Sequence, residues 1–344
     1  MALLPALALV LAACGAESAP EPADTGSPSL AWHSTNAGEW DDGGREAGAG
    51  GGAWAAGEAR GTGQAPAAYV PTDEHETEAD WAIARASVKW GREQDLDLLP
   101  IGEVVAMLGM TFLGTTYEPG TLELAGEEAL VVNLRAFDCV TLVEHLLVLA
   151  RLVVEADDAV MADETAFRER YRAELTRLRY RDGRIDGYPS RLHYFSDWIR
   201  DGEAKGLVRD VTAELGGIRD DRPIHFMTSN PSAYRQLEED PSNVEAIAAV
   251  EARLNGEPRY FIPQEEIAAA ASQIRNGDVI AAVSTLDGLD IAHTGIALWH
   301  GGRLHLLHAP LVGENVELSA RPLAERMMGI SSQKGIMVVR PLDP

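Results

Sequence analysis

The segment 138–155, DCVTLVEHLLVLARLVVE, is the most apolar stretch from which the fold can be predicted. Its apolar residues would cover nearly every side of a helix that begins at Cys139, and a helix that is apolar all round is buried. Asp138 precedes the apolar run, and aspartate is a favoured N-cap residue. The sequence therefore predicts a central, buried helix whose first turn contains Cys139.

A cysteine in the first turn of a helix is a candidate nucleophile. Unpaired backbone N–H groups and the positive end of the helix dipole favour the thiolate form of Cys139 over the thiol. The same N–H groups could stabilise an oxyanion during acyl transfer. A buried, unreactive thiol is the alternative interpretation.

The segments on either side of this helix predict the fold class. Apolar residues at helical spacing indicate two helices within residues 80–110 and a charged helix over Phe167–Tyr180. After Gly277, four short apolar runs alternate with turn residues, as in β-strands. These runs are VIAAVS (279–284), IAHTGIALW (291–299), LHLLHA (304–309) and GIMVVRP (335–341). Helices followed by antiparallel strands predict an α+β domain.

Two of these runs predict a hairpin. Gly301 and Gly302 fit a two-residue turn, which would place His300 opposite Arg303. Residues that are opposed, or two apart on one strand, share a face of the sheet. The register therefore predicts that one face carries a first histidine pair and the other face a second pair: His293 with His308, and His300 with His305.

Cys139, His293 and His308 form a candidate nucleophile, general base and orienting residue. Gly295, beside the two histidines, would leave room for a substrate backbone. A metal site built from these three side chains and a carboxylate is the alternative, because all are zinc ligand types. The sequence has no HExxH or CxxC pair, so we expect neither a metal nor another cofactor.

The segment Val131–Glu144, VVNLRAFDCVTLVE, resembles the cysteine motif of the DUF1460 family. These are N-acetylmuramoyl-L-alanine amidase-like proteins of the NlpC/P60 (papain-like) superfamily. The resemblance extends over roughly residues 80–340 and includes several further motifs: YRDG (180–183), GY (187–188), SRLHY (190–194), GD (277–278), HTG (293–295) and HA (308–309).

The resemblance implies a fold and a chemistry. The fold is an NlpC/P60-like (papain-like) α+β domain, with a central helix packed on a small antiparallel sheet and with additional helices. The chemistry is that of a cysteine hydrolase of murein peptides, with Cys139 as nucleophile, His293 as general base and His308 as the third member.

The reaction that follows is cleavage of the amide between N-acetylmuramic acid and L-alanine in muropeptides, through a thiolate and an acyl-enzyme. Two alternatives stay open. One is a γ-D-glutamyl endopeptidase that acts within the stem peptide, and the other is an inactive murein-binding module. The combination of a cysteine with two histidines argues against the binding module, because binding alone needs no thiol.

The loop between residues 180 and 198 is a candidate substrate-binding segment. Tyr188 and Tyr194 offer flat faces that suit sugar rings and peptide backbones. Arg181 and Arg191 could bind the carboxylates of a muropeptide. His193 is either a site residue or a structural residue that holds the loop in place. For each residue, simple packing of the loop over the sheet is the alternative.

The N-terminal segment predicts export. Residues 1–13, MALLPALALVLAA, form an apolar run too short to span a bilayer. Its ending, LAAC, resembles a bacterial lipoprotein signal, which implies that Cys14 becomes lipid-modified. An ordinary secretory signal is the alternative. Residues 14–75 are rich in Gly, Ala and Pro and predict a disordered tether, which leaves residues 76–344 as the amidase domain.

Composition limits the partners. Lys and Arg number 29 against 54 Asp and Glu, a net charge of −25, which argues against a nucleic-acid partner. Two cysteines exclude a fold held by several disulfides and a four-cysteine zinc ribbon.

The expected partners are muropeptides and, through the lipid anchor, a membrane. The expected location is the cell envelope, at the outer membrane facing the periplasm. Residues 215–265 are weakly patterned, and we expect a cap over the groove there.

Overall fold

The computed structural model describes residues 75–311 and 315–344. The predicted signal sequence, Cys14 and the predicted tether up to residue 74 lie outside the described residues. Within the described ranges, no helix combines the length and the apolar character that crossing a membrane requires.

Helices dominate the first half of the described chain, as the sequence predicts. The two helices expected within residues 80–110, the charged helix near residues 167–180 and the long helix that begins at Cys139 are all confirmed. The α-helices of the described residues are α1 (Glu78–Glu93), α2 (Ile101–Thr111), α3 (Cys139–Glu155), α4 (Asp158–Ala162), α5 (Glu164–Arg179), α6 (Phe195–Ala204), α7 (Phe226–Ser229), α8 (Arg235–Glu239), α9 (Pro241–Asn255), α10 (Ile267–Ala270) and α11 (Leu323–Met328).

The strands form one large antiparallel sheet and one small parallel pair. The strands are β1 (Thr116–Tyr117), β2 (Ala136–Phe137), β3 (Val208–Asp210), β4 (Ile218–Arg219), β5 (Tyr260–Pro263), β6 (Val279–Ser284), β7 (Ile291–His300), β8 (Arg303–His308), β9 (Glu317–Leu318) and β10 (Gln333–Pro341). In the eight-stranded sheet the order is β4-β5-β10-β6-β7-β8-β9, and β3 pairs with β10 in addition. In the parallel pair, β1 is paired with β2, and β2 lies immediately before α3 in sequence.

The β7–β8 hairpin has the predicted register. His300 pairs with Arg303, and Ile296 pairs with Leu307. Both turn glycines have positive φ, 57° at Gly301 and 75° at Gly302. Positive φ at both central positions is the requirement of a type I′ turn, whose twist matches that of paired strands.

Helix α3 packs on one face of the sheet. Its apolar residues, such as Leu142 and Leu146, belong to the same buried cluster as Ile296 and Leu307 of the hairpin. The opposite face carries a second cluster, in which Ala297 and Leu306 pack against Leu323 of α11. This alternation follows from the period of two along a strand. The α+β class and the central buried helix are therefore confirmed.

One expectation about the sheet was wrong. The sheet is not small, because it has eight strands, and three of them (β3, β4 and β5) precede Gly277. These strands have two to four residues each, too short to show a period of two in the sequence. Part of the segment 215–265, for which we predict a cap, thus belongs to the sheet: β4 and β5 pair with each other, and β5 pairs with β10.

Candidate active site

Cys139 is the first residue of α3, and its side chain is partly exposed. Asp138 caps the helix as predicted. Its Oδ1 accepts hydrogen bonds from the N–H groups of Val140 (3.1 Å) and Thr141 (2.8 Å). In return, the Thr141 hydroxyl accepts one from the N–H of Asp138 at 2.9 Å. This reciprocal arrangement is a capping box.

The capping box changes one expectation. The sequence suggested that unpaired first-turn N–H groups could stabilise an oxyanion. Two of the three are bonded to the Asp138 carboxylate, at Val140 and Thr141. The cap therefore occupies two of the backbone N–H groups that α3 could have offered to an oxyanion.

His293 and His308 lie side by side on one face of the sheet, as the register predicts. Nε2 of His293 is 2.8 Å from Nδ1 of His308, and the two rings meet edge to face. Both side chains are buried. The other ring nitrogens, Nδ1 of His293 and Nε2 of His308, have no hydrogen-bond partner within the described part of the chain.

The surroundings keep this histidine pair neutral. Burial lowers the pKa of His293 to about 3, and the positive charge of Arg326 contributes to the shift. Burial also lowers the pKa of His308 well below its usual value, with further contributions from His293 and Arg326. Neutral imidazoles in a buried pair share one N–H···N hydrogen bond, in which one ring donates and the other accepts.

Thr294 connects the strand of His293 to the helix of Cys139. Its hydroxyl donates a 2.7 Å hydrogen bond to the backbone carbonyl of Cys139. Thr294 therefore points to the face that α3 covers, and by alternation His293 leaves the strand on the other face. The last residue pair of the β7–β8 ladder is Ile296 with Leu307, so His293 and Thr294 lie beyond the end of this ladder. The pairing of β7 with β6 contains a β-bulge next to His293, which further distorts β7 there.

Gly295 does not leave room for a substrate. It is buried, and a Cβ at this position would lie 2.9 Å from Cβ of His308 and 2.7 Å from the carbonyl oxygen of Leu307. The missing side chain makes room for His308. The proposed substrate role of Gly295 was wrong because the space is already filled by the hairpin partner.

The two arginines of the 180–198 loop bind the protein's own carboxylates. Arg191 is buried and pairs with Glu123 at 2.7 Å and with Glu128 at 3.3 Å. Arg181 pairs with Asp197 and donates to the carbonyl of Pro189 at 2.8 Å. Both guanidinium groups thus take part in internal ion pairs, and their binding of muropeptide carboxylates stays a prediction.

The aromatic residues of this loop are also internal. Tyr188 and Tyr194 are buried in a cluster with Phe226 and other residues of the 215–265 segment. The Tyr194 hydroxyl donates to Glu251 at 2.7 Å. Nε2 of His193 contacts the carbonyl oxygen of Tyr188 at 2.8 Å, so His193 holds the loop in place. The structure favours the packing alternative for Tyr188, His193 and Tyr194.

A buried ion pair supports α3 from within. Glu144 and Arg179 are both almost completely buried, with Nε of Arg179 2.7 Å from Oε2 of Glu144. Arg179 also donates to the carbonyl of Val131 at 2.6 Å. Burial raises the pKa of Glu144, and the charge of Arg179 opposes this shift. The pair fixes α3 to α5 and to the segment that leads into Cys139.

Sequence reasoning missed the residues that surround the candidate site. Thr294 could have been found, because it follows His293 directly and bears a hydroxyl in an otherwise apolar strand. No spacing signal connects Arg326 or Glu317 to the histidines, because they are separated from them by turns and a further helix. Within residues 75–311 and 315–344, no three His, Cys, Asp or Glu side chains are grouped to hold a metal ion.

Comparison with known proteins gives one matching family model and several similar solved structures. A family model described as AmiA-like, N-acetylmuramoyl-L-alanine amidase-like, matches residues 107–336. The crystal structure of an N-acetylmuramoyl-L-alanine amidase from Bacteroides uniformis is 34% identical with a TM-score of 0.65, covering 71% of this chain and 99% of that chain. A Bacteroides fragilis protein that carries the provisional name xylanase is 36% identical with a TM-score of 0.62, covering 67% and 98%.

A more distant structure shares the fold. Protein LPG0564 from Legionella pneumophila, described with the family model DUF1460, is 21% identical with a TM-score of 0.55, covering 77% of this chain and 95% of that chain. No curated protein matches.

Proposed function

Because the chain belongs to the N-acetylmuramoyl-L-alanine amidase-like family, we propose that it is a cysteine hydrolase of peptidoglycan. The bond cleaved is the amide between N-acetylmuramic acid and L-alanine in muropeptides. The nucleophile is the thiolate of Cys139, and the reaction passes through an acyl-enzyme.

One observation carries this proposal. The hydrogen-bonded pair His293–His308 lies on a hairpin whose Thr294 is bonded to the backbone of Cys139. A partly exposed cysteine at a helix N-terminus and a buried imidazole pair thus lie on elements that one hydrogen bond connects, although Nδ1 of His293 has no hydrogen-bond partner in the described part of the chain. Cysteine hydrolases need this combination of thiol, base and orienting group.

The contact between the two histidines supports a role for each ring nitrogen. Nε2 of His293 is engaged with His308, so Nδ1 is the nitrogen left to accept the thiol proton. His293 leaves β7 on the face opposite α3, so our proposal requires the sulfur of Cys139 to reach Nδ1 beyond the end of the β7–β8 ladder, which stops at Ile296 and Leu307. His308 holds the imidazole in the tautomer that presents an unprotonated Nδ1.

The reaction then follows in two stages. The Cys139 proton moves to Nδ1 of His293, and the thiolate attacks the lactyl carbonyl carbon to form a C–S bond. The C–N bond breaks as the leaving amine of L-alanine takes the proton from His293. Water then attacks the thioester while His293 accepts its proton, and the returned proton regenerates the thiol and releases a lactyl carboxylate.

The proposal extends to fold superfamily and location. A helix with a cysteine at its N-terminus, packed on an antiparallel sheet that carries the histidine, supports an NlpC/P60-like (papain-like) assignment. The lipoprotein-like segment that ends at Cys14 supports a lipid anchor, and with it a place in the cell envelope, at the outer membrane facing the periplasm.

Mass spectrometry of muropeptides incubated with the full chain tests the proposed function. Wild-type protein should release an intact stem peptide and a sugar that ends in a lactyl carboxylate. A Cys139→Ala variant should release neither, and a His300→Ala variant, which alters an exposed histidine outside the pair, should match wild type. Cleavage within the stem peptide would replace our proposal with an endopeptidase, and unchanged turnover in Cys139→Ala would exclude the mechanism.

A further inference from the structure

A carboxylate stands at the far end of the histidine pair. Glu317 of β9 pairs directly across from His308 in the β8–β9 ladder. Its Oε1 is 3.6 Å from Nε2 of His308, the ring nitrogen that faces away from His293. The His308 side chain is 1% exposed, whereas that of Glu317 is 44% exposed. A half-exposed carboxylate thus borders a buried imidazole on the side that His293 leaves open.

The position of Glu317 affects which ring nitrogens of the two histidines carry a hydrogen. Nδ1 of His293 can accept a proton only if Nε2 carries the ring hydrogen and donates it to Nδ1 of His308. The hydrogen of His308 must then be on its Nε2, which faces Glu317. A negative charge beside this N–H favours that tautomer over the reversed one.

The charge of Arg326 gives a carboxylate near the pair an electrostatic role. From α11, the guanidinium of Arg326 acts on both histidines and disfavours their protonation. From β9, Glu317 is the opposing charge. When His293 takes the thiol proton, the pair becomes cationic in a buried position next to Arg326. A carboxylate at Nε2 of His308 offsets part of that cost.

We propose that Glu317 is a positioning residue of the active site, completing a relay of Cys139, His293, His308 and Glu317. It acts through His308, by fixing the ring hydrogen on Nε2 and by stabilising the cationic pair formed when Cys139 ionises. This inference rests on the proposed function for its catalytic meaning, but its effect on the thiol is measurable without a substrate.

The test is the pH profile of Cys139 alkylation by iodoacetamide, followed in the full chain by mass spectrometry of the peptide that contains Cys139. In Glu317→Gln, the shape of the side chain is kept and the charge is removed. We expect alkylation near pH 6.5 to slow by about threefold, the effect of losing one partly exposed charge. Above the pKa of the thiol, wild type and variant should react equally, because the sulfur is then ionised without help from His293.

Glu257→Gln is the matched control, because Glu257 is a partly exposed carboxylate paired with Arg200 on another part of the surface. Its alkylation profile should match wild type. In the amidase assay, Glu317→Gln should lower kcat by a similar factor and leave KM unchanged, since the residue does not touch the substrate.

The outcomes separate the two proposals. An alkylation profile of Glu317→Gln that matches wild type, or one that Glu257→Gln shifts equally, overturns the role of Glu317. A lower melting temperature with an unshifted profile does so as well, because it reveals only a structural contact. If wild type shows no amidase activity but the profile still shifts, the relay stands and the proposed reaction is what fails.

Discussion

At the scale of single residues, the candidate site depends on bonds to the backbone of Cys139. The cysteine carbonyl accepts from Thr294, and the preceding residue, Asp138, accepts from two amides of the same helical turn. These bonds fix where the helix begins relative to the strand of His293. In the proposed mechanism the sulfur of Cys139 and the imidazole of His293 must be accurately positioned, so small displacements of either have large effects on rate.

Thr294 provides the first prediction. Thr294→Val removes the hydroxyl and keeps the branched shape, whereas Thr294→Ser keeps the hydroxyl. Loss of one hydrogen bond of ordinary strength, about 1 kcal/mol, should lower kcat of the valine variant by roughly five- to tenfold with KM unchanged. Steady-state kinetics on muropeptides measure this. Equal rates in the two variants would contradict a positioning role for the hydroxyl.

The Glu144–Arg179 pair provides the second prediction. Both side chains are almost completely buried, so Arg179→Leu leaves an uncompensated carboxylate inside the protein. The free energy of unfolding should fall by about 3–5 kcal/mol, measured by urea denaturation. The double variant Glu144→Leu, Arg179→Leu removes both charges and should recover part of the loss. If the loss of stability in the double variant equals the sum of the losses in Arg179→Leu and Glu144→Leu, each relative to wild type, the pair is not coupled as we describe.

At the scale of elements, two glycines show different constraints on the strands. Gly277 precedes β6 with φ of 78°, and a Cβ there would overlap the backbone carbonyl of Gly102 in α2. Gly301 has φ of 57° in the hairpin turn, and nothing lies within 4 Å of a Cβ at that position. At Gly277, both the positive φ and the lack of space for a Cβ favour glycine, whereas at Gly301 only the positive φ does.

This contrast gives the third prediction. Gly277→Ala should lower the free energy of unfolding by more than about 2 kcal/mol, because α2 must move away from the start of β6. Gly301→Asn should change it by less than about 1 kcal/mol, because asparagine tolerates the left-handed region in type I′ turns. Chemical denaturation compares the two. A stable Gly277→Ala variant would refute the close approach between α2 and β6.

At the scale of the whole molecule, buried histidines link stability to pH. Burial lowers the pKa of His145, His293 and His308 below the usual value of 6.5. As pH falls below about 6.5, the unfolded chain binds protons at these residues that the folded protein does not bind, so stability decreases. Buried carboxyl groups with raised pKa, such as Glu144 and Asp290, act in the opposite direction.

The fourth prediction isolates one histidine. Nδ1 of His145 is 2.6 Å from the hydroxyl of Tyr171, and Gln can retain a polar contact there. Between pH 6.5 and 5.5, wild type should lose about 1 kcal/mol more of its free energy of unfolding than His145→Gln does. Urea denaturation at both pH values gives the difference. Parallel pH dependence of the two proteins would mean that His145 is protonated in the folded state.

The fifth prediction concerns attachment to the envelope. If Cys14 carries lipid, wild-type protein should sediment with membranes and incorporate labelled fatty acid. Cys14→Ser should move to the soluble fraction, because stable attachment depends on buried acyl chains. Cys139→Ser is the control and should remain with membranes. Persistence of Cys14→Ser in the membrane fraction would exclude the lipid anchor.

Much of this protein can be predicted from its sequence, wherever the signal is local. The apolar run after Asp138 predicts the central helix and its first residue, because capping and helical periodicity act within a few residues. The glycine pair at 301–302 predicts the register that brings His293 and His308 to one face, because a two-residue turn leaves a single pairing. These features depend on backbone geometry alone.

Only the tertiary structure decided what the remaining side chains do. Arg181 and Arg191 could bind a substrate by their chemistry, yet distant carboxylates neutralise both. Gly295 could leave space, yet His308 fills it. Arg326 and Glu317 meet the histidine pair from elements whose positions no local pattern specifies. The reason is physical: burial and charge pairing depend on which segments meet in space, and a sequence pattern reports only what lies within one helix turn or strand.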